Sequence, residues 1–161
     1  QAEDGIPYAQ ESRGLGDVYK RQLVDGMKVK ILEKNICKIF GKKYGLMVNS
    51  GSSANLLALS SFKFKKGSEI ITPSLTFATT VAPIYQLGLK PHFIGVDKNK
   101  FVADCEQIEK CINKKTVAIM IPNLLGNVPD WKKIFLLAKK NRLKVIEDSA
   151  DTIGYKLNKK N

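Results

Sequence analysis

The amino-acid sequence predicts an α/β fold: a mostly parallel sheet flanked by helices on both faces, in three layers. Two observations support this prediction. From residue 23 onward, segments with helical periodicity alternate with short apolar segments, and residues 116–121 ("TVAIMI") are apolar almost throughout. A continuous apolar run of this length is typical of a strand that is covered on both faces. Strands separated by helices indicate right-handed βαβ units and therefore parallel pairing.

Five helices are predicted from apolar residues that recur every three or four positions. Their ranges are residues 27–40, 52–64, 77–87, 104–111 and 130–140. In the second helix, the side chains expected to face the core are Leu56, Leu57, Leu59 and Phe62. Pro83 should kink or shorten the third helix, because proline lacks the N–H that the helix needs. Asp130 is expected to cap the last helix with its carboxylate.

Five strands are predicted, at residues 44–49, 69–72, 92–96, 116–121 and 143–147. In parallel sheets flanked by helices, ligands bind at the carboxyl ends of the strands. The segments that follow four of these strands are rich in small, polar and aromatic residues, and they are residues 50–53, 73–77, 122–127 and 148–151. We therefore expect these segments to converge on one edge of the sheet and to form the functional site.

The composition excludes several classes of function. The chain has 161 residues, of which 43% are hydrophobic and 26% charged, as is ordinary for one soluble domain. His92 is the only histidine, and the three cysteines show no CxxC spacing, so neither a zinc site nor a Ser-His-Asp triad is expected. No apolar run approaches the roughly 20 residues that span a bilayer. We expect a cytoplasmic protein with reduced thiols, without a metal and without a membrane contact.

The formal net charge is +12, carried mostly by lysine. Such a charge is typical of a nucleic-acid-binding module, of a lysine-rich surface, or of a protein that acts on acidic substrates such as nucleotide sugars. The lysines occur in pairs at the ends of predicted elements, and no basic stripe interleaved with aromatics is present. We therefore favour solvated lysines and expect no nucleic-acid partner. The nucleic-acid alternative predicts binding that weakens steeply with salt.

The two ends of the chain differ from the rest. Residues 1–22 ("QAEDGIPYAQESRGLGDVYKRQ") show no apolar periodicity and resemble translated sequencing-adapter DNA. We expect them to be a disordered leader of non-native origin and leave them out of the fold prediction. The last residues ("YKLNKKN") contain no closing element. We therefore expect residues 23–161 to be part of a longer protein.

Three features at the expected site each have a functional and a structural interpretation. Gly51, Ser52 and Ser53, at the start of a helix, can bind a phosphate through N–H groups, hydroxyls and the helix dipole, or serine can simply cap the helix. Phe77, in "SLTFATT", can stack on a planar ligand or belong to the core. Asp148, at the end of a strand, can pair with a cationic ring nitrogen or a metal, or it can cap a helix.

A single ligand that satisfies all three functional interpretations is flat, with a phosphate at one end and a basic ring nitrogen at the other. Pyridoxal phosphate meets this description. A carboxylate beside its pyridine nitrogen keeps that nitrogen protonated, which lets the ring accept electrons from the substrate.

The chain from residue 23 to its end resembles the DegT/DnrJ/EryC1/StrS family of sugar aminotransferases, which are fold type I pyridoxal-phosphate enzymes. The resemblance lies in "GKKYGLMVNSGSSANLLAL", "ITPSLTFATTVAPIYQLGLKPHFIGVD", "NLLGNVPDW" and "VIEDSADTIG". It implies the large cofactor-binding domain of that fold, with pyridoxal or pyridoxamine phosphate as cofactor. It further implies that Gly51, Ser52 and Ser53 bind the phosphate, Phe77 stacks on the ring and Asp148 pairs with the ring nitrogen.

One departure from the family pattern points to a branch within it. Asp151 lies where the aminotransferases carry Gln or His, next to the phenolic oxygen of the cofactor. Together with "GSSANLLALS" and "LGN", Asp151 resembles the branch of nucleotide-sugar 3-dehydratases, which remove the C3 hydroxyl and carry histidine in place of the Schiff-base lysine. By resemblance, this catalytic position lies beyond residue 161, so both chemistries stay open. Lysines near the end of the chain come too early to fill it: Lys156, Lys159 and Lys160.

The resemblance implies an enzyme that acts on a nucleotide-linked 4-keto-6-deoxy sugar, either as an aminotransferase or as a 3-dehydratase, and that forms a homodimer. Because the catalytic residue is not part of the sequence, we expect the isolated chain to be inactive. Two alternatives stay open: a regulatory homologue of the same fold without catalysis, and the nucleic-acid-binding module.

Overall fold

The computed structural model describes residues 26–153, so the predictions for residues 1–22 and for the lysines of the last segment lie outside the described residues. The chain divides into two units, Gln1–Met47 and Val48–Asn161. In the first unit, helix α1 (Met27–Phe40) has the predicted bounds. It ends at Gly41, whose φ of 60° is the left-handed conformation that glycine adopts readily at helix C-termini.

The strand predicted at residues 44–49 is wrong, because these residues do not adopt strand conformation. A strand requires a neighbour that satisfies its N–H and C=O groups. Within residues 26–153, the four strands of the sheet pair with one another and not with this run. The amide of Met47 instead donates to Oε1 of Glu33 at 2.7 Å.

Over residues 48–153, the second unit contains four α-helices, a short 3-10 helix (Leu124–Gly126) and four strands. The helices are α2 (Gly51–Ser60), α3 (Ala78–Gln86), α4 (Cys105–Cys111) and α5 (Trp131–Lys140). The strands are β1 (Glu69–Pro73), β2 (Lys90–Ile94), β3 (Thr116–Pro122) and β4 (Lys144–Asp148). Asp130 caps α5 as predicted, since its carboxylate accepts the amide of Lys133. Pro83 lies inside α3 without ending it.

Helix α2 is shorter than predicted and buries less. The hydroxyls of Ser60 and Ser61 bond to carbonyls three residues back, which competes with continued helix formation. Of the side chains expected to face the core, Leu59 is buried, whereas Leu57 and Phe62 are exposed. Strand β2 also begins and ends two residues earlier than predicted.

The sheet confirms the predicted three-layer α/β architecture. Its four strands are all parallel in the order β2-β1-β3-β4. Alternate residues of the buried strands face opposite sides. Ile70 packs with Leu59 and Ile84 from α2 and α3 on one face, while Ile119 packs with Ile134 from α5 on the other. Burying such an isoleucine side chain contributes about 1.5–3 kcal/mol, so the sheet is a rigid base for the loops at its edge.

The chain reverses its direction of travel across the sheet at the edge strand β2, and the switch point lies between β1 and β3. The connection through α3 leads from β1 to β2 at one edge, and the connection through α4 leads back past β1 to β3. A crevice opens at the carboxyl ends of strands on either side of such a switch point. β1 and β3 end at Pro73 and Pro122, which cannot donate to the sheet, so the chain turns away there. Within residues 26–153, no helix has the length and apolar character needed to cross a membrane.

Candidate functional site

A cleft of about 470 Å³ lies at the carboxyl edge of the sheet. Its walls come from the start of α2, the start of α3 and the segments that follow β3 and β4. The convergence predicted for segments 50–53, 73–77, 122–127 and 148–151 is therefore observed at least in part of each segment. Of the six residues expected at the site, five line the cleft: Gly51, Ser52, Phe77, Asp148 and Asp151.

The start of α2 presents free donors to the cleft. Ser50 caps the helix: its Oγ accepts the amide of Ser53 at 3.2 Å and donates to the Ser53 hydroxyl at 3.2 Å. Ser53 is therefore engaged by the cap and does not line the cleft. Within residues 26–153, the backbone amides of Gly51 and Ser52 donate no hydrogen bond. With the positive end of the helix dipole, these two amides favour an anion at this wall.

Phe77 is an exposed wall of the cleft. Its side chain is 71% exposed, so the interpretation as a core residue is wrong. It occupies the N-cap position of α3, where a side chain without oxygen cannot accept the free helix amides. An aromatic ring held open to a cleft provides a flat apolar surface for stacking.

Asp148 is held at the floor of the cleft by two donors. Its Oδ2 accepts Nδ2 of Asn55 at 2.8 Å and Oγ1 of Thr80 at 3.1 Å. Within residues 26–153, its Oδ1 accepts the amide of Ala150 at 3.3 Å and no other donor. Residues 149–153 form turns rather than a helix, so the interpretation of Asp148 as a helix cap is not supported. The carboxylate is half-buried and keeps one oxygen available to the cleft.

Asn123 connects the segments on the far side of the cleft. It is 3% exposed, and its Nδ2 lies 2.8 Å from Oε1 of Glu147 and 3.0 Å from Oγ1 of Thr152. Its Oδ1 accepts the N–H of Trp131 Nε1 at 2.9 Å. The backbone N–H of Asn123 donates to the Asp148 carbonyl. Through these bonds one side chain fixes the loop after β3, the loop after β4 and the start of α5.

Asp151 lies at the rim of the cleft and bonds to the opposite wall. Its Oδ2 accepts the amide of Leu125 at 2.8 Å. Leu125 has a φ of 55°, a conformation that is unfavourable for a side chain with a Cβ. The hydrogen bond that Leu125 donates to Asp151 helps to stabilise this turn. The Leu125 side chain is exposed beside the cleft.

Sequence reasoning missed three residues of the site: Asn55, Thr80 and Asn123. A signal existed for Asn55, since it lies three residues after Ser52 and four before Leu59 and therefore shares their helix face. An asparagine between a cleft residue and a core residue needs a hydrogen-bond partner. Thr80 carries the same signal, since it lies three residues after Phe77 and four before the buried Ile84. Asn123 lies within segment 122–127, which was expected at the site, but its bonds to Glu147 and Thr152 depend on packing.

The residues present fit pyridoxal phosphate. The free amides of Gly51 and Ser52 suit a phosphate, the open ring of Phe77 suits a planar ring, and the available Oδ1 of Asp148 suits a ring N–H. A carboxylate held by two donors remains an acceptor for a third. The three kinds of contact required of the ligand thus border one cleft.

The sequence profile of the DegT/DnrJ/EryC1/StrS aminotransferase family matches residues 10–161. The chain belongs to this family. As a family member it is 38% identical, over 141 residues, to the GDP-4-keto-6-deoxy-D-mannose 3-dehydratase of Yersinia pseudotuberculosis. It is also 34% identical, over 146 residues, to the UDP-N-acetyl-3-dehydro-alpha-D-glucosamine 3-aminotransferase of Acidithiobacillus ferrooxidans. The aligned segments cover 84% and 90% of this chain.

The fold of this family member is also that of solved structures. A GDP-4-keto-6-deoxymannose-3-dehydratase, solved with a trapped PLP-glutamate geminal diamine, superposes with a TM-score of 0.80 at 32% identity. The superposition covers 98% of this chain and 42% of that one. The chain spans about 36% of the Yersinia enzyme and 40% of the Acidithiobacillus enzyme. The predicted family and the predicted fold are confirmed.

Proposed function

We propose that residues 23–161 form the N-terminal part of the cofactor-binding domain of a pyridoxal-phosphate enzyme that acts on a nucleotide-linked 4-keto-6-deoxy sugar. The observation that carries this proposal is the cleft, where free amides, an open aromatic ring and an available carboxylate oxygen border one space. The related enzymes support the substrate class, since both are named for a nucleotide-linked keto sugar. A homodimer and the absence of a nucleic-acid partner belong to the same proposal.

Four residues that line the cleft have a role in this function. Gly51 and Ser52 bind the phosphate, with Ser53 completing the turn. Phe77 covers one face of the ring, and Asp148 accepts the ring N–H and so keeps that nitrogen protonated. When bound, the cofactor supplies an electron sink that stabilises a carbanion of the substrate.

We favour removal of the C3 hydroxyl over amino transfer. Asp151 supports this choice, because aminotransferases of the family usually carry Gln or His there, next to the phenolic oxygen of the cofactor. The alignment with the Yersinia 3-dehydratase at 38% identity supports it as well. Amino transfer is the second candidate, supported by the 34% identity to the Acidithiobacillus aminotransferase.

The test uses the complete enzyme with a nucleotide-linked 4-keto-6-deoxy sugar and an amino acid as donor of nitrogen or of reducing equivalents. We expect mass spectrometry to show a sugar product that lacks one oxygen, and Asp148→Asn to lower turnover on the order of 100-fold, since a fixed charge beside the reacting group is lost. Asp130→Asn is the matched control: Asp130 caps α5 away from the cleft, and asparagine caps equally well.

The possible outcomes separate the parts of the proposal. A product that carries an amino nitrogen contradicts dehydration but keeps the role of the cleft. Undiminished turnover of Asp148→Asn contradicts the role given to Asp148.

A further inference from the structure

The two oxygens of the Asp148 carboxylate are used differently. Oδ2 accepts two side-chain donors, Asn55 and Thr80, whereas Oδ1 accepts one longer backbone bond. We propose that Asn55 and Thr80 are positioning residues that hold Oδ2 and thereby direct Oδ1 toward the ring nitrogen of the cofactor. The inference rests on the proposed function, because it assigns a purpose to contacts around the proposed cofactor partner.

The amide of Asn55 has one orientation that satisfies its surroundings. Its Nδ2 lies 2.8 Å from Oδ2 of Asp148 and 3.3 Å from the carbonyl oxygen of Thr79. Both of these atoms are acceptors, so the NH₂ group and not the amide oxygen must face them. Because Asn55 is 8% exposed, water has little access to replace either bond. The side chain is therefore a fixed donor to Asp148.

A proline makes the second acceptor available. In a regular helix, the carbonyl of Thr79 would accept the amide of residue 83. Pro83 has no N–H, and the Thr79 carbonyl bonds to Asn55 instead. Asn55 therefore supplies the hydrogen-bond donor that Pro83 removes from the Thr79 carbonyl. The proline thus helps to orient the amide that holds Asp148.

Thr80 forms hydrogen bonds to both Asp148 and Phe77. It is fully buried, and its hydroxyl lies 3.1 Å from Oδ2 of Asp148. Its amide donates to the Phe77 carbonyl at 3.0 Å. One turn of α3 therefore fixes both the residue proposed to cover the ring and the residue proposed to bind the ring nitrogen.

The test compares the affinity of the complete apoenzyme for two ligands: pyridoxal phosphate and its analogue with a C–H in place of the ring nitrogen. The affinity for pyridoxal phosphate divided by the affinity for the analogue measures the contact between Asp148 and the ring N–H. A variant that only loosens the fold weakens both ligands alike and leaves the ratio unchanged. We expect Asn55→Leu and Thr80→Val each to lower the wild-type ratio by about tenfold, as for a lost bond to a charged group.

Matched controls use the same substitutions elsewhere. Asn141→Leu removes a bond to a helix carbonyl of α5, and Thr116→Val removes a buried hydroxyl at the opposite edge of the sheet. Both should keep the wild-type ratio. Thr80→Ser keeps the hydroxyl and should keep the ratio too. If Asn55→Leu fails to fold, the pair Thr80→Val and Thr80→Ser still decides the question.

The outcomes distinguish this inference from the proposed function. A wild-type ratio above one that persists in Asn55→Leu and Thr80→Val overturns the inference and leaves the proposed function intact. A wild-type ratio of one overturns the role of Asp148 itself, and with it the proposed function.

Discussion

An asparagine binds a carboxylate at each edge of the sheet. At the carboxyl edge, Nδ2 of Asn55 lies 2.8 Å from Oδ2 of Asp148. At the amino edge, Nδ2 of Asn113 lies 2.7 Å from Oε2 of Glu69, the first residue of β1. The two bonds have the same chemistry and almost the same length, so distance alone does not distinguish them.

Their surroundings differ. Asn55 is buried and is supported by Thr80 as a second donor. Asn113 is exposed, and the second partner of Glu69 is Nδ1 of His92 at 3.5 Å. Water can replace the Asn113 bond at little cost, whereas a buried group that loses its partner keeps the full cost of desolvation. Burial therefore determines which of these two similar hydrogen bonds holds its carboxylate in place.

The largest expected difference in unfolding free energy comes from placing a second carboxylate in each of the two pairs. Asn55→Asp sets an acid against Asp148 without a neutralising partner, and we expect the chain to lose about 3 kcal/mol of unfolding free energy. Asn113→Asp sets an acid against Glu69 in contact with water, and we expect a loss below about 1 kcal/mol. Urea denaturation of the 161-residue chain measures both.

Salt provides the control for this pair of variants. Molar salt should reduce the effect of Asn113→Asp, since exposed charges are screened, and should change Asn55→Asp much less. Equal losses for the two variants would show that burial does not separate the two edges.

A third polar group, the buried hydroxyl of Thr72, extends the comparison. Thr72 lies near the carboxyl end of β1 and is fully buried, and its hydroxyl has no hydrogen-bond partner within residues 26–153. Thr72→Val keeps the shape and removes the unsatisfied group, so we expect a gain of about 1 kcal/mol in unfolding free energy.

The comparator for Thr72→Val is Thr80→Val in the same denaturation experiment. Thr80 donates to Asp148, so the same substitution should lower the unfolding free energy there. A loss of stability in Thr72→Val would indicate that its hydroxyl has a partner.

Much of the site could be predicted from the sequence because its residues occupy positions that local patterns define. Gly51 and Ser52 begin a helix, and Asp148 ends an apolar strand. Phe77 follows another strand. Once the strands are known to be parallel, their carboxyl ends must meet at one edge, so these residues become neighbours without any knowledge of individual contacts.

The remaining features depend on contacts that no local pattern defines. A helix pattern places Asn55 and Thr80 between cleft and core residues, but their shared partner Asp148 lies 93 and 68 positions away, so the identity of that partner follows from packing. The failed strand at residues 44–49 has the same cause. An apolar run becomes a strand only when a neighbour pairs with it, and local composition does not supply the neighbour.

The smallest predicted effect concerns the exposed pair and depends on pH. The hydrogen bond from Asn113 holds the pKa of Glu69 below its ordinary value, although partial burial opposes this shift; His92 and Lys115 also lower the pKa. A carboxylate whose pKa falls on folding stabilises the fold above its ordinary pKa, and the contribution disappears as the pH falls through the lowered value.

Glu69→Gln should therefore be slightly less stable than the wild type at neutral pH and equal to it in acid. Thermal unfolding from pH 7 to pH 3 measures this difference in stability between Glu69→Gln and the wild type. In an Asn113→Ala background the difference should be smaller, because the principal donor to Glu69 is absent. A difference that grows as the pH falls would mean that the protonated form of Glu69 is the favoured partner, and that the exposed pair does not hold its carboxylate as the buried pair is proposed to do.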